Sequence, residues 1–256
     1  MGAGVAAVPE GHLELMSMLV CHVRRQQPYA VIAMAGTLDK DSLIQAGVTL
    51  ADCLADQPEA VVLDLSGARC ADDRLPGWLH RAAVGAARWP GAPIIVAAPP
   101  CPVPDGQDGI AVYDDLAEAE KAAAVLPVSP RRAVTLPPTA ASCARARDLA
   151  QRACTAFGLP RLGQLTQLLA SELTANAVTH ARTEMELTLR RSGESVIVAV
   201  RDGDPRLPHE AGPEDRGAGL ELVSAMATDW GSLLTSAGKV VWARASVDKP
   251  VRAADL

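Results

Sequence analysis

Aromatic residues are scarce in this sequence: its 256 residues include four Trp, two Tyr and one Phe. The core must therefore be built from Ala, Val, Leu and Ile, and stacking platforms for single-stranded nucleic acid are hard to assemble. No apolar run approaches the roughly 18 residues that a membrane span needs. The N-terminal stretch MGAGVAAVPEGH also lacks the positive region of a secretory signal. We expect a cytoplasmic protein with neither nucleic acid nor membrane as a partner.

The cysteines form no CxxC pair and do not cluster with histidine, so neither a zinc site nor a thioredoxin-like motif is indicated. We expect reduced thiols at all six positions, which are Cys21, Cys53, Cys70, Cys101, Cys143 and Cys154.

Apolar material is ample, since 49% of the residues are hydrophobic and 21% are charged. This composition allows one large core or two ordinary ones. The net charge of −6 is uneven, with −8 on residues 1–130 and +2 on residues 131–256. Such asymmetry would favour docking of one half against the other or against a charged protein, although ordinary solvated surfaces are the preferred explanation.

Prolines at 127, 130, 137 and 138 interrupt regular structure and indicate a domain boundary near 126–130. The segment RRAVTLP between them is compatible with a short edge strand. Upstream, strands are predicted at 29–36, 60–67 and 93–98. Helices are predicted between and after them at 41–56, with Asp41 as N-cap, at 74–89 and at 114–126. This alternation is typical of a small α/β layer with parallel pairing.

Downstream of the prolines, two helices come first, at 139–158 and about 162–181. Strands then follow at 184–191, 195–202 and 239–247, the first two as a hairpin. Helices on one face of a mostly antiparallel sheet give an α+β sandwich.

The second of these helices carries Glu172, Asn176 and His180 at i, i+4 and i+8, which places all three on one stripe. A charged stripe is commonly a solvated face. Here, however, the next strand ends at Asp202-Gly203, and a glycine-rich segment opens a further helix. The small residues Gly217 and Gly219 at that helix start let backbone N–H groups approach phosphate. Leu220, which begins the apolar stripe of this helix, is a further candidate for nucleotide binding.

These side chains suit one ligand, ATP with Mg²⁺. Asn176 offers an oxygen to a hard cation, and Glu172 can accept a proton from water or from an attacking hydroxyl. Asp202 can accept the exocyclic amine of adenine and so select ATP over GTP. A lid over 205–216 would bring Arg206 and Arg216 near the phosphates, although both could equally be surface arginines. His180 either lines the phosphate side or caps the helix end.

The C-terminal half resembles the anti-sigma factor serine kinases of the histidine-kinase-like (GHKL) ATPases, which have a Bergerat fold. The matching segments are SELTANAVTHA, VRDGDPRLP, GAGLELV, DWG and GKVVWA. The resemblance implies that Asn176 is the Mg²⁺ ligand, Glu172 the catalytic base and Asp202 the adenine contact. The second and third glycines of the broader superfamily's G1 box are missing. Val240 stands where many relatives have a threonine that helps to hold adenine.

The N-terminal half is similar to STAS domains, the fold of anti-anti-sigma factors, through GTLD at 36–39 and VVLDLSG at 61–67. Where that family has a phosphate-accepting serine, this sequence has Asp73. We expect this degenerate acceptor position either to mimic a phosphoserine, which carries about −1.5 to −2 charge, or to reflect drift.

The resulting organisation is an α/β STAS-like domain (15–126), a proline-rich linker or edge strand (127–138), an α+β Bergerat ATPase sandwich (139–247) and a tail (248–256). The first functional hypothesis is a serine/threonine kinase and anti-sigma regulator that acts in trans on a STAS partner and binds a sigma factor. The alternative is a non-catalytic module in which nucleotide gates protein binding. A homodimer is compatible with either. A two-component histidine kinase is disfavoured, because no phosphoacceptor histidine lies on a dimerisation helix.

Overall fold

The computed structural model describes residues 18–25, 28–104, 106, 109–207 and 218–246. The chain divides into two compact units, the first formed by Met1–Ala87 and Gly91–Pro127 and the second by Arg88–Pro90 and Val128–Leu256. Within the described residues, no helix combines the length and the apolar character needed to cross a membrane.

Among its described residues, the first unit contains a five-stranded sheet with three helices. In chain order the elements are β1 (Val20–Arg25), β2 (Tyr29–Leu38), α1 (Lys40–Ala55), β3 (Ala60–Cys70), α2 (Arg74–Arg88), β4 (Ile94–Ala97), β5 (Ala111–Tyr113) and α3 (Leu116–Ala124). The strand order is β1-β2-β3-β4-β5. Strands β2 to β5 pair in parallel, whereas β1 is antiparallel to β2. The predicted α/β class with parallel pairing is thus confirmed, while β1 and β5 were not predicted.

Helix α1 starts two residues earlier than the Asp41 N-cap that the sequence suggested. The N-cap is Asp39, whose carboxylate accepts the backbone N–H groups of Asp41 and Ser42 at 3.1 and 2.9 Å. The Ser42 hydroxyl in turn accepts the Asp39 N–H at 2.8 Å. This reciprocal capping box satisfies donors at the helix start, which explains why Asp39 prevails over Asp41.

The second unit is a second five-stranded sheet with helices on one face. Its elements are β6 (Arg131–Leu136), α4 (Ala141–Ala156), a 3₁₀ turn (Pro160–Leu162), α5 (Gly163–Asn176), a π-helical turn (Ala177–Ala181), β7 (Met185–Ser192), β8 (Ser195–Asp202), α6 (Ala218–Met226), β9 (Asp229–Thr235) and β10 (Gly238–Ala245). The strand order is β6-β7-β8-β10-β9, and every neighbouring pair is antiparallel. The predicted α+β sandwich is confirmed, with β6 at the edge as expected.

The core of the second unit lies between this sheet and its helices. Alternate residues of the three central strands point toward the helices: Leu187 and Leu189 of β7, Val196, Val198 and Val200 of β8, and Val241, Ala243 and Ala245 of β10. Helix α5 contributes Leu169 and Leu173, while α4 contributes mostly alanines. Small side chains on α4 allow close helix packing, so aliphatic residues fill this core despite the shortage of aromatics.

Candidate functional site

Glu172 and Asn176 lie one turn apart at the C-terminal end of α5, and both are half-buried. Between them, Leu173 is buried in the core, and so is Ala177 just beyond. The two polar side chains therefore flank the buried face of the helix and are not on its fully solvated side. This position leaves their oxygens accessible from the space beside α5.

The stripe predicted for Glu172, Asn176 and His180 does not continue regularly to its third member. After Asn176 the chain widens into a π-helical turn, in which the Arg182 N–H donates to the Ala177 carbonyl at 3.0 Å. Arg182 ends this turn with a left-handed φ of 56°. His180 is exposed in the turn. The extra residue per turn changes the angular spacing, so α-helical spacing no longer aligns His180 with Asn176.

Asp202 is the last residue of β8, and its side chain is in phase with Val198 and Val200, which face the helices. It is 4% exposed. Its register partner on β10 is Lys239, which is 2% exposed and in phase with Val241 and Ala243. The Lys239 ammonium donates to Asp202 Oδ1 at 2.8 Å and to the Asp204 carbonyl at 2.9 Å. A buried ion pair thus occupies the helix-facing side of the sheet at the end of β8.

The two carboxylate oxygens of Asp202 differ in their surroundings. Oδ1 accepts the Asp204 N–H at 2.9 Å in addition to the ammonium. Oδ2 is buried and has no hydrogen-bond partner among the described residues. An unsatisfied buried carboxylate oxygen is costly. The atom therefore fits a donor from a ligand, and an exocyclic amine is such a donor.

Val240, which stands where many relatives have an adenine-holding threonine, does not lie opposite Asp202. Val240 pairs with Arg201, and its side chain lies on the sheet face away from the helices. Lys239 is the residue of β10 that meets Asp202, and the sequence reasoning missed it. The sequence pattern could have identified it, because Lys239 lies on the same face of β10 as Val241 and Ala243. A lysine on this buried face requires an acidic partner.

The turn after β8 is stabilised by an ion pair between Arg206 and Asp204. The Arg206 guanidinium donates to the Asp204 carboxylate from Nε to Oδ1 at 3.0 Å and from Nη2 to Oδ2 at 2.8 Å. These hydrogen bonds, the Arg206 N–H and the nearby Lys239 charge lower the pKa of Asp204 to about 2. Arg206 was expected near phosphates, and in the structure its guanidinium is engaged by Asp204.

This turn is also tied to the end of α5. Arg206 Nη2 donates to the His180 carbonyl at 3.3 Å, and the Gly203 N–H donates to Thr183 Oγ1 at 3.0 Å. Helix α5 packs against β8, β10 and α6. The elements that carry Glu172, Asn176 and Asp202 are therefore mutually packed.

Gly219 and Leu220 lie in the first turn of α6, and Leu220 is half-buried against the core. Arg216 and Gly217 lie outside the described residues. Asp73 is exposed in the turn between β3 and α2. Its neighbour Asp72 accepts the Arg74 N–H at 3.0 Å and also pairs with the Arg74 guanidinium.

An open cavity of about 310 Å³ adjoins the end of β8. Its lining includes Asp202, and the other lining residues are Thr135, Glu184, Met185, Glu186, Arg201, Gly203 and Ala237. Neither Glu172 nor Asn176 is among the residues that line it.

The second unit is therefore an α+β sandwich whose candidate site combines polar side chains on a helix with a buried aspartate at the end of a strand. The profile of the histidine kinase-like ATPase domain matches residues 136–245. The match confirms the expected likeness of the C-terminal half to histidine kinase-like ATPase domains, whereas the narrower resemblance to anti-sigma factor serine kinases stays an expectation. A comparison with curated proteins gives no match. Among solved structures, an anti-sigma factor antagonist from Mycobacterium paratuberculosis is similar, with 17% identity, a TM-score of 0.32, and coverage of 41% of this chain and 93% of that chain.

Proposed function

We propose that the C-terminal unit binds ATP with Mg²⁺ and that the protein is a regulator of the anti-sigma factor system. The observation that supports this most directly is the buried, unpartnered Oδ2 of Asp202. It offers an acceptor for the adenine amine at the end of β8, while the match to ATPase domains covers the same unit.

In this proposal each site residue has a distinct role. The Asn176 side-chain oxygen would hold Mg²⁺, which neutralises phosphate charge when bound. The backbone around Gly217 and Gly219 would approach the phosphates at the start of α6, together with Gly203, Arg216 and Leu220 around the nucleotide. His180, exposed beyond Asn176, would contact the phosphate side.

Calorimetric titration of ATP in the presence of Mg²⁺ tests the binding step. We expect saturable binding to the wild type and at least a tenfold weaker affinity for Asn176→Ala. Gln164→Ala is a matched control, because Gln164 is an exposed amide on the same helix. Equal affinity of wild type and Asn176→Ala would remove Asn176 from the site, and no ATP binding at all would refute the proposal.

For the activity, we propose a serine/threonine kinase that acts in trans on a STAS partner and also binds a sigma factor. The N-terminal unit would then be a STAS-like domain without its own acceptor, since Asp73 stands at that position. Glu172 would accept the proton of the attacking serine hydroxyl. Radiolabel from ATP should reach a partner STAS protein with the wild type and with the control Glu194→Ala, an exposed carboxylate between β7 and β8. The transfer should be lost with Glu172→Ala.

The second candidate is a non-catalytic module in which nucleotide gates protein binding. Lys239 favours it, because its ammonium already occupies Oδ1 of the carboxylate assigned to adenine. ATP binding without hydrolysis or phosphoryl transfer to any STAS protein would support this alternative over the kinase. Sedimentation with and without ATP would also reveal whether either form is a homodimer.

A further inference from the structure

Two thiols of the first unit lie side by side outside the nucleotide site. The Sγ atoms of Cys70 and Cys101 are 2.6 Å apart, although the residues are 31 positions apart in sequence. Cys70 ends β3, and Cys101 lies in the loop that follows β4, the parallel neighbour of β3. Both residues are half-buried, so a small oxidant can reach them. Sequence spacing does not indicate this pair, because the two cysteines form no CxxC motif.

The surroundings of the pair differ from those of the other cysteines. Cys53 and Cys154 are buried, and Cys154 lies within the core of the second unit. Cys21 and Cys143 are half-buried but belong to different units. Among the described thiols, a direct thiol–thiol contact is seen for Cys70 and Cys101. The two sulfurs need to approach by only about 0.6 Å to reach the S–S bond length of about 2.0 Å, with side-chain rotation to a Cβ–S–S–Cβ dihedral near about ±90°.

We propose that Cys70 and Cys101 form a reversible intramolecular disulfide, a covalent modification site of the N-terminal unit. With hydrogen peroxide as oxidant, one thiolate attacks a peroxide oxygen and gives a sulfenic acid and one water. The second thiol then attacks the sulfenic sulfur, which forms the S–S bond and releases a second water. Both thiol protons end in the two waters, and the two electrons reduce the peroxide. A dithiol reductant reverses the linkage through thiol–disulfide exchange.

The local chemistry keeps the two sulfurs in contact. The Cys70 S–H donates to the Cys101 sulfur, and burial, this hydrogen bond and the charges of Cys101 and Asp72 raise the pKa of Cys70 to about 12. The proposal rests on the contact between the two sulfur atoms and holds whichever thiol is oxidised first.

The linkage would join the end of β3 to the loop after β4. Cys70 directly precedes the turn that carries Asp72 and Asp73. Oxidation would thus anchor one side of the exposed turn in which Asp73 stands at the position of the phosphate-accepting serine of STAS domains. The disulfide itself does not depend on the nucleotide proposal, since all its atoms lie in the first unit.

Peptide mapping of the full-length protein under non-reducing conditions tests this inference. After mild peroxide treatment we expect one cross-linked peptide pair that contains Cys70 and Cys101, with a mass about two hydrogens below the sum of the reduced peptides. The number of alkylatable thiols should fall by two in the denatured protein. Dithiothreitol should restore both thiols.

Matched variants distinguish a specific cross-link between Cys70 and Cys101 from non-specific oxidation of cysteines. Cys70→Ser and Cys101→Ser should each abolish the cross-link, and Cys143→Ser should keep it, since Cys143 is a half-buried cysteine of the other unit. A wild-type protein whose cross-links join other cysteines, or two chains, would overturn the proposal. So would a protein that accumulates sulfinic acid at Cys101 while Cys70 remains a thiol. The peptide map of the oxidised wild-type protein tests the proposal even if a serine variant folds poorly.

Discussion

Lys239 and Asp202 form an ion pair across β10 and β8, with 2.8 Å between Nζ and Oδ1. The side chains are 3% and 1% exposed. Removal of the ammonium leaves an uncompensated carboxylate in the interior, which costs about 3 to 5 kcal/mol. We therefore expect Lys239→Met to lower the free energy of unfolding of the second unit by this amount.

Urea denaturation measures this loss, and Lys121→Met is its control. Lys121 is exposed on α3, so its replacement should change stability by less than about 0.5 kcal/mol. The double variant Asp202→Leu/Lys239→Met should recover much of the stability, because no buried charge remains. A single variant as stable as the wild type would show that the ammonium does not compensate Asp202.

Gly238 should not tolerate a side chain. Its φ is 142°, and a Cβ there would lie 2.0 Å from the Asp202 carbonyl oxygen and 2.7 Å from the Gly203 Cα. Backbone atoms cannot yield as a flexible side chain can, so Gly238→Ala should cost about 3 kcal/mol or more through strain and local separation of β8 and β10. Hydrogen exchange at the end of β8 should accelerate in this variant.

Gly193→Ala is the comparison for Gly238→Ala. Gly193 also has a positive φ, 58°, but a Cβ there would meet nothing within 4 Å. The expected cost is only the left-handed penalty of about 1 to 2 kcal/mol. Similar losses in the two variants would mean that the contact with Asp202 is not what constrains Gly238.

The Asp204–Arg206 interaction should weaken in acid. The folded-state pKa of Asp204 is lowered to about 2 by its hydrogen bonds from Arg206, whereas an unperturbed aspartate titrates near pH ~3.9. A lowered pKa contributes stability that is fully present above the unfolded-state value and disappears as the pH falls through the folded-state value. Wild type should thus exceed Asp204→Asn in stability at pH 6 by a margin that shrinks below about pH 4.

Denaturation of both proteins at several pH values measures that margin, and NMR titration of the Asp204 carboxyl checks its origin. In Arg206→Ala the pKa of Asp204 should move up toward the ordinary range, since Arg206 is the first cause of the shift. An unchanged titration in that variant would assign the shift to other groups.

Arg182 adopts a left-handed conformation at the end of the π-helical turn, with φ 56°. Glycine adopts this conformation without the steric cost that other residues bear. Arg182→Gly should therefore leave stability unchanged or raise it by up to about 1 kcal/mol. In contrast, Arg145→Gly in the exposed middle of α4 should lower stability by about 1 kcal/mol. Thermal denaturation compares the two, and equal losses would contradict the conformational argument.

Local patterns predicted the long elements well. The predicted strand at 195–202 coincides with β8, and all six predicted helices are present, with ends shifted by up to about five residues where bounds were predicted. Their periodicity and flanking glycine or proline residues are properties of contiguous sequence. Strands β1 and β5 gave weaker signals. The first is an antiparallel edge strand and the second has three residues, so pairing with neighbours decides their conformation.

For the candidate site, sequence spacing placed Glu172 and Asn176 one turn apart on a helix and Asp202 at the end of a strand, because these positions depend on local periodicity. Only the tertiary structure paired Asp202 with Lys239, 37 residues away, and brought Cys70 beside Cys101. Strand register and the meeting of distant loops are set by the packing of the whole sheet against its helices. A helix or strand can be read from one stretch of chain, whereas the partner of a buried charge depends on which stretches fold together.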